Sequence, residues 1–312
     1  MAPVNGLAAV LALVAAVLFA VGSVAQQRSA AAVPDDRGRG PGLVLLLVRR
    51  PLWWAGALSD TGGYLAQAAA LGLGSLLLVQ PLLITTLLFA LPLSARWADR
   101  RLSRSDWTWA VLLAVVLAAF LVVGQPSAGT DRANLRQWLP TAVVLGLLVG
   151  GSLMGAAMRR GTTRALLLAV ATAVAYGVAA ALTKAVVSLL GQGCAAVAGS
   201  WETYILAVCL VGGTLLQQSA FQAGDLRASL PAVTLGEPVV AVAIGMAVLG
   251  EQMAANGAEW VLIALLVAAM GTATVALARS AARTVPGVPA AAGTVGPLQS
   301  RGPDVNDAAG HL

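Results

Sequence analysis

Nineteen Lys and Arg residues punctuate this chain, and sixteen of them fall in alternate gaps of a nine-run hydrophobic pattern. The runs are 7–27, 52–71, 75–95, 107–124, 138–158, 165–188, 202–222, 226–249 and 257–279, each near the ~20 residues that cross a bilayer as a helix. Arg28, Arg37, Arg39, Arg49 and Arg50 follow the first run, and Arg96, Arg100, Arg101 and Arg104 the third. Arg159, Arg160 and Arg164 follow the fifth, Arg227 the seventh, and Arg279, Arg283 and Arg301 the ninth. The opposite gaps hold only Arg132 and Arg136, while Lys184 lies inside the sixth run. Short basic loops stay cytoplasmic. Nine helices then place the N-terminus outside the plasma membrane and the C-terminus inside, with the lipid bilayer as the constant partner.

Composition closes most other classes. With 59% apolar residues, 10% charged residues and a mean hydropathy of +0.84, the chain is unlike an ordinary soluble domain. The runs are continuously apolar rather than alternating, so helices and not a barrel satisfy the backbone in lipid. The net charge of +6 sits on short loops without a basic face, which speaks for orientation and against nucleic-acid binding. No Walker loop, nucleophile–base pair or metal-spaced Cys/His/acid cluster is present. The sequence therefore reads as neither an enzyme nor an ATP-driven pump, and it implies no cofactor. The first run lacks a basic segment before it and is read as a retained helix rather than a signal peptide. Residues 280–312, which include His311, are Ala/Gly/Pro-rich and read as a disordered cytoplasmic tail. The short apolar piece 43–48 reads as re-entrant or interfacial.

The two halves echo each other at a spacing of 150 residues. Gly62-Gly63 matches Gly212-Gly213, Gln67 matches Gln217, Leu76 matches Leu226 and Pro81 matches Pro231. Phe19 to Arg28 is likewise similar to Val174 to Lys184, with Gly22 beside Gly177. Runs one to four thus map onto runs six to nine, an odd offset that makes each mapped pair cross in opposite directions. That is the inverted-topology repeat of secondary transporters. It divides the chain into a repeat at about 7–124, a connecting helix at 138–158 and a second repeat at about 165–279.

With these residues in view, the chain resembles the drug/metabolite transporter superfamily, between its EamA-type carriers and its NIPA-type magnesium transporters. Arg50-Pro-Leu-Trp-Trp-Ala-Gly56, Gly63-Tyr-Leu-Ala-Gln67 and Leu78-Val-Gln-Pro-Leu82 are similar to the NIPA pattern. So are Tyr176-Gly177 through Lys184 and Trp201 through Gln218. Gly236-Glu-Pro-Val-Val240 followed by Leu249-Gly-Glu251 resembles the ending of an EamA repeat. The resemblance implies a carrier fold used for solute or ion transport. In one place the chain departs from it: the NIPA pattern Gly-Glu-x-x-Asn is replaced here by Gly63-Tyr64-Leu65-Ala66-Gln67. Mg²⁺ favours carboxylates and retained water, so Asp60, one turn earlier, is the acid a divalent cation would use.

Two carboxylates stand near mid-span, Asp60 and Glu237. A charge there costs on the order of 2.5–3.5 kcal/mol on insertion scales, so each is expected to face a cavity or a partner. The functional reading is a substrate or proton- or cation-coupling site. The structural alternative is a neutral acid bonded between helices, or, for Glu237, to backbone freed by Pro238. Tyr64, Gln67, Thr85, Thr86, Tyr176, Gln217 and Gln218 are polar groups at similar depth, with Ser59 and Thr61 beside Asp60. Each suits a substrate contact or an interhelical hydrogen bond equally. Lys184 lies ~13 Å outward of its helix centre by the helical rise. It reads as a snorkelling side chain with an ion-pair or substrate role as the alternative. Glu251 reads as solvated, and Trp53, Trp54, Trp107, Trp109, Trp138, Trp201 and Trp260 as an interfacial belt. The glycine pairs, Gly150-Gly151 included, read as points of close helix contact or bending rather than as binding groups.

Three functions compete on these grounds. The leading one is a secondary carrier of a small solute working by alternating access between the two halves. The second is a NIPA-like divalent-cation transporter, and the third a non-transporting membrane subunit of an envelope-assembly complex. Substrate, coupling ion and oligomeric state are not written in the sequence.

Overall fold

Eight of the nine expected runs form helices long and apolar enough to cross a membrane. The computed structural model describes residues 3–31, 49–97, 101–224 and 226–283. The helices are α1 (Pro3–Ala31), α2 (Pro51–Leu73), α3 (Leu76–Leu83), α4 (Thr86–Trp97), α5 (Arg104–Gly124) and α6 (Leu135–Met158). They continue with α7 (Gly161–Leu190), the short α8 (Cys194–Ala198), α9 (Trp201–Ala223), α10 (Leu226–Ala247) and α11 (Ala258–Arg283). The remaining run, 52–71, forms α2, whose Asp60, Gln67 and glycines leave it less apolar than the eight. The chain is an all-α multi-pass membrane protein. The segment 43–48 and the tail beyond 283, with His311, lie outside the described residues. The last helix runs past the expected 279 to Arg283.

Local chemistry sets the helix ends. Pro51 starts α2, where its missing N–H costs nothing. Ser75 caps α3 by accepting from Leu78 N at 3.1 Å, and Ser103 with Asp106 closes a capping box on α5. The expected run 75–95 is broken. Its two pieces, α3 and α4, meet at Ile84 and Thr85, just after Pro81. Proline removes one ladder bond and crowds the preceding turn. Thr85 seals the break by donating its hydroxyl to Leu82 O at 2.6 Å.

Packing divides the bundle into two similar sets. α1 lies along α2 and against α3 and α4, while α7 lies along α9 and α10. The sets meet where α2 touches α7, α3 touches α10, and α11 packs on α5 and α4. α6 rests chiefly on α7, with Leu139, Val143 and Leu147 exposed. Val208, Val211 and Leu215 of α9 are exposed too. Such apolar surface belongs in lipid, where it costs nothing to leave uncovered.

Side-chain contacts identify the two ends. Arg28 stacks over Trp97 at 5.4 Å, and Ser280 donates to Asp106 at 2.7 Å, both at the Arg-rich end. At the opposite end Arg132 clasps Glu202 through Nε and one terminal nitrogen, at 2.6 and 3.2 Å. That bond holds the Arg132 guanidinium above its ordinary pKa. Trp138 is not an exposed belt residue: it is 6% exposed and meets Trp201 edge-to-face. A strap crosses this end. β1 (Pro126–Ser127) pairs antiparallel with β2 (Gln252–Met253), and Thr130 N donates to Leu249 O at 2.8 Å. A Cβ on Gly129 would strike Leu249 O and come within 2.7 Å of Glu251 N, so only glycine lets the strap lie this close.

Candidate functional site

Lining the middle of the bundle is a cavity of ≈ 330 Å³ bordered by residues from both helix sets. Seven of the expected site residues border it: Asp60, Tyr64, Gln67, Thr86, Tyr176, Gln217 and Glu237. The sequence separates these groups by up to most of its length, and the packing of α2, α4, α7, α9 and α10 brings them to one volume.

Asp60 owes its place to glycine. A Cβ on Gly22 would overlap the Asp60 carboxylate and sit 3.0 Å from Gly56 O, so α1 and α2 meet there backbone to backbone. Gln26 Nε2 donates to Asp60 Oδ2 at 2.6 Å, and Ser59 Oγ ties the same turn to Leu18 O at 2.8 Å. Thr61 is exposed and donates to its own helix at Ala57 O. Substituting Gly22→Ala is expected to destabilise the protein by about 1–3 kcal/mol, the usual cost of overpacking. Gly6→Ala on the same helix, with nothing within 4 Å, is expected to leave it unchanged. Denaturation of both variants in detergent measures the difference.

The second set repeats this arrangement. A Cβ on Gly63 would come within 2.8 Å of the Phe19 ring, and one on Gly213 within 2.8 Å of the Tyr176 ring. Phe19 in turn meets Tyr64 edge-to-face at 5.1 Å. The Tyr176 hydroxyl donates to Gln217 Oε1 at 3.0 Å and lies 3.2 Å from Thr214 Oγ1. Gly62 and Gly212 make no such close contact, and Gly150 and Gly151 have nothing within 4 Å. Of the two expectations for Gly150-Gly151, helix contact or bending, the first is corrected: α6 presents them outward.

Three expected site residues lie elsewhere. Gln218 is exposed, one step round α9 from Gln217. Thr85 is buried and spends its hydroxyl on the helix break. Lys184 does not snorkel: it is 1% exposed and donates to Glu251 Oε1 at 2.8 Å. Glu251 is not solvated either. It is 2% exposed and also accepts from Leu76 N and Leu77 N at 2.9 and 3.1 Å. The free end of α3 and the Lys184 ammonium thus share one carboxylate, because Gly245 leaves room for it.

Sequence reasoning missed Gln26, Ser23, Thr234 and Gln80. Gln80 is fully buried at the cavity edge, and neither amide atom has a hydrogen-bond partner among the described residues. An amide directly before a mid-span proline was the available signal. Among the described residues no three His, Cys, Asp or Glu side chains gather as metal ligands. Asp60 as a cation ligand would therefore act with amides, hydroxyls or water.

No family model matches the chain, and no solved structure matches it. A curated relative from Corynebacterium glutamicum, named Uncharacterized protein Cgl0250/cg0304, is 37% identical over 277 residues. The match covers 88% of this chain and 96% of the relative. The chain belongs to one family with this corynebacterial protein.

Proposed function

We propose that this chain is a secondary carrier of the drug/metabolite transporter type. It moves a small solute across the plasma membrane by alternating access, with a proton or cation as coupling partner. The observation that carries this reading is the central cavity, to which each helix set contributes one acid, Asp60 and Glu237. A buried cavity with convergent polar groups is the ordinary form of a small-molecule site, and intramembrane acids mark substrate or proton paths. Two further observations support it. The α1–α2 and α7–α9 pairs pack by the same device, a glycine under an aromatic ring, as two related halves would. The broken helix α3–α4 borders the cavity through Gln80, Leu83, Ile84 and Thr86, and discontinuous helices line the sites of such carriers.

Among the cavity residues, Ser23, Gln217 and Thr234 lie in the Arg-side halves of their helices and Gln67 and Gln80 in the opposite halves, while Lys184, Glu251 and the strap close the end opposite the arginines. On this reading the site faces the cytoplasm in the present state and must open outward in another. Cysteine labelling in vesicles tests it. With Cys194 and Cys209 replaced by alanine, Ser23→Cys and Thr234→Cys are each offered an impermeant maleimide from one face or the other. Labelling from both faces, faster from the Arg-rich one, is expected. Labelling from one face alone would overturn alternating access.

A further inference from the structure

We infer that the ligand of this cavity is a compact organic cation, an amine or ammonium whose neutral polar end bonds Gln80. The inference rests on the carrier reading and narrows its solute. The first observation is the sign of the charge. Asp60 and Glu237 border the cavity, and none of the described residues bordering it is Lys or Arg. An anionic solute would enter a low-dielectric volume against two carboxylates, with no cation to receive it.

The second is what those acids lack. Glu237 makes no hydrogen bond or ion pair among the described residues, and Asp60 has its amide partner, Gln26, on Oδ2. Buried charge is retained where something pairs with it, and a positive group between α2 and α10 would do so. Aromatic rings complete the reception: Phe19, Tyr64 and Tyr176 border the same volume, and ring faces attract an ammonium.

Gln80 supplies the third observation, and it points to a ligand larger than an ion. Its amide is fully buried, borders the cavity and leaves a donor and an acceptor unsatisfied. Such groups are expensive to leave unmade. A ligand hydroxyl, carbonyl or amide at that edge satisfies it while the cationic end reaches the acids. The cavity volume of ≈ 330 Å³ suits a molecule of this kind and far exceeds a bare metal ion. Absence of three clustered metal-ligating side chains among the described residues agrees.

Three probes with one skeleton and three charges test the inference: tyramine (cationic), tyrosol (neutral) and 4-hydroxyphenylacetate (anionic). Binding to the purified full-length protein is read by tryptophan fluorescence and thermal shift. Tyramine is expected to bind roughly tenfold or more tighter than tyrosol, the yield of about one charge-assisted contact. The anion is expected not to bind. The tyramine preference should vanish in Asp60→Asn/Glu237→Gln. Gln80→Leu should weaken tyramine and tyrosol alike, since it removes the polar contact and not the charge. Equal or better binding of tyrosol or the anion overturns the inference, as does protection by MgCl₂ with none by tyramine. The cysteine-labelling experiment needs no ligand, so its outcome separates failure of this inference from failure of the carrier reading.

Discussion

Asp60→Asn and Glu237→Gln are each expected to cut solute flux in proteoliposomes by ~30-fold to ~3,000-fold while leaving the fold intact. The size follows from the cost of removing one member of a buried, hydrogen-bonded charge contact, about 2–5 kcal/mol, at ~1.4 kcal/mol per tenfold. Both changes preserve volume and shape, so a cavity effect is not the cause. The two acids should differ in what they leave behind. Asp60 accepts from Gln26 at 2.6 Å, and an asparagine can keep that bond through its oxygen. Glu237 has no such contact to keep among the described residues. Counterflow, which needs no net coupling, therefore discriminates the roles. If Glu237 serves only coupling, Glu237→Gln retains exchange and loses uphill uptake. If it holds the solute, both fall together. Full activity in both variants would remove the assigned site.

The parts of this fold that were legible from sequence are those that one helix decides alone. A continuous apolar run must become a helix in lipid, because nothing else satisfies its backbone. That argument placed every long helix within a few residues of its observed limits. An acid at mid-span must find company, and that argument alone singles out Asp60 and Glu237 in the sequence. What stayed closed depended on how two helices meet. Gln26 reaches Asp60 only because Gly22 and Gly56 let α1 and α2 touch, and no single-helix argument contains that register. The helix break shows the same limit from another side. Pro81 coincides with a break, whereas Pro231 and Pro238 sit inside a continuous α10. A proline removes one bond in either place, and whether the helix parts is settled by what surrounds the freed carbonyl. The Lys184–Glu251 pair, which the sequence offers only as the ion-pair alternative at Lys184, escapes single-helix reasoning for a related reason. A polar residue near a span end snorkels or pairs at similar cost, and the partner was 67 residues away.

That pair supports the second large effect. Lys184→Met is expected to destabilise the protein by about 3–5 kcal/mol, the cost of stranding one member of a buried ion pair. Side-chain exposure is 1% for Lys184 and 0% for Glu251, so water cannot replace the lost partner. Asp131 offers little help in return: it lies 3.8 Å from the ammonium and is 58% exposed, and Asp131→Asn should cost less than ~1 kcal/mol. The double variant Lys184→Met/Glu251→Gln is the decisive comparison. A neutral glutamine can still accept, through its one carbonyl oxygen, from one of the two first-turn N–H groups of α3, Leu76 or Leu77, which have no intrahelical partner. It leaves no charge unpaired, so most of the single-variant loss should return. Losses that simply add would mean that the ion pair contributes nothing as a pair, and the closure would then rest on the strap alone. If the carrier reading holds, this pair joins α7 to the start of α3 across the closed end and must part in each cycle. Lys184→Met should then speed labelling of Thr234→Cys from the end opposite the arginines, a gain of access produced by a loss of stability.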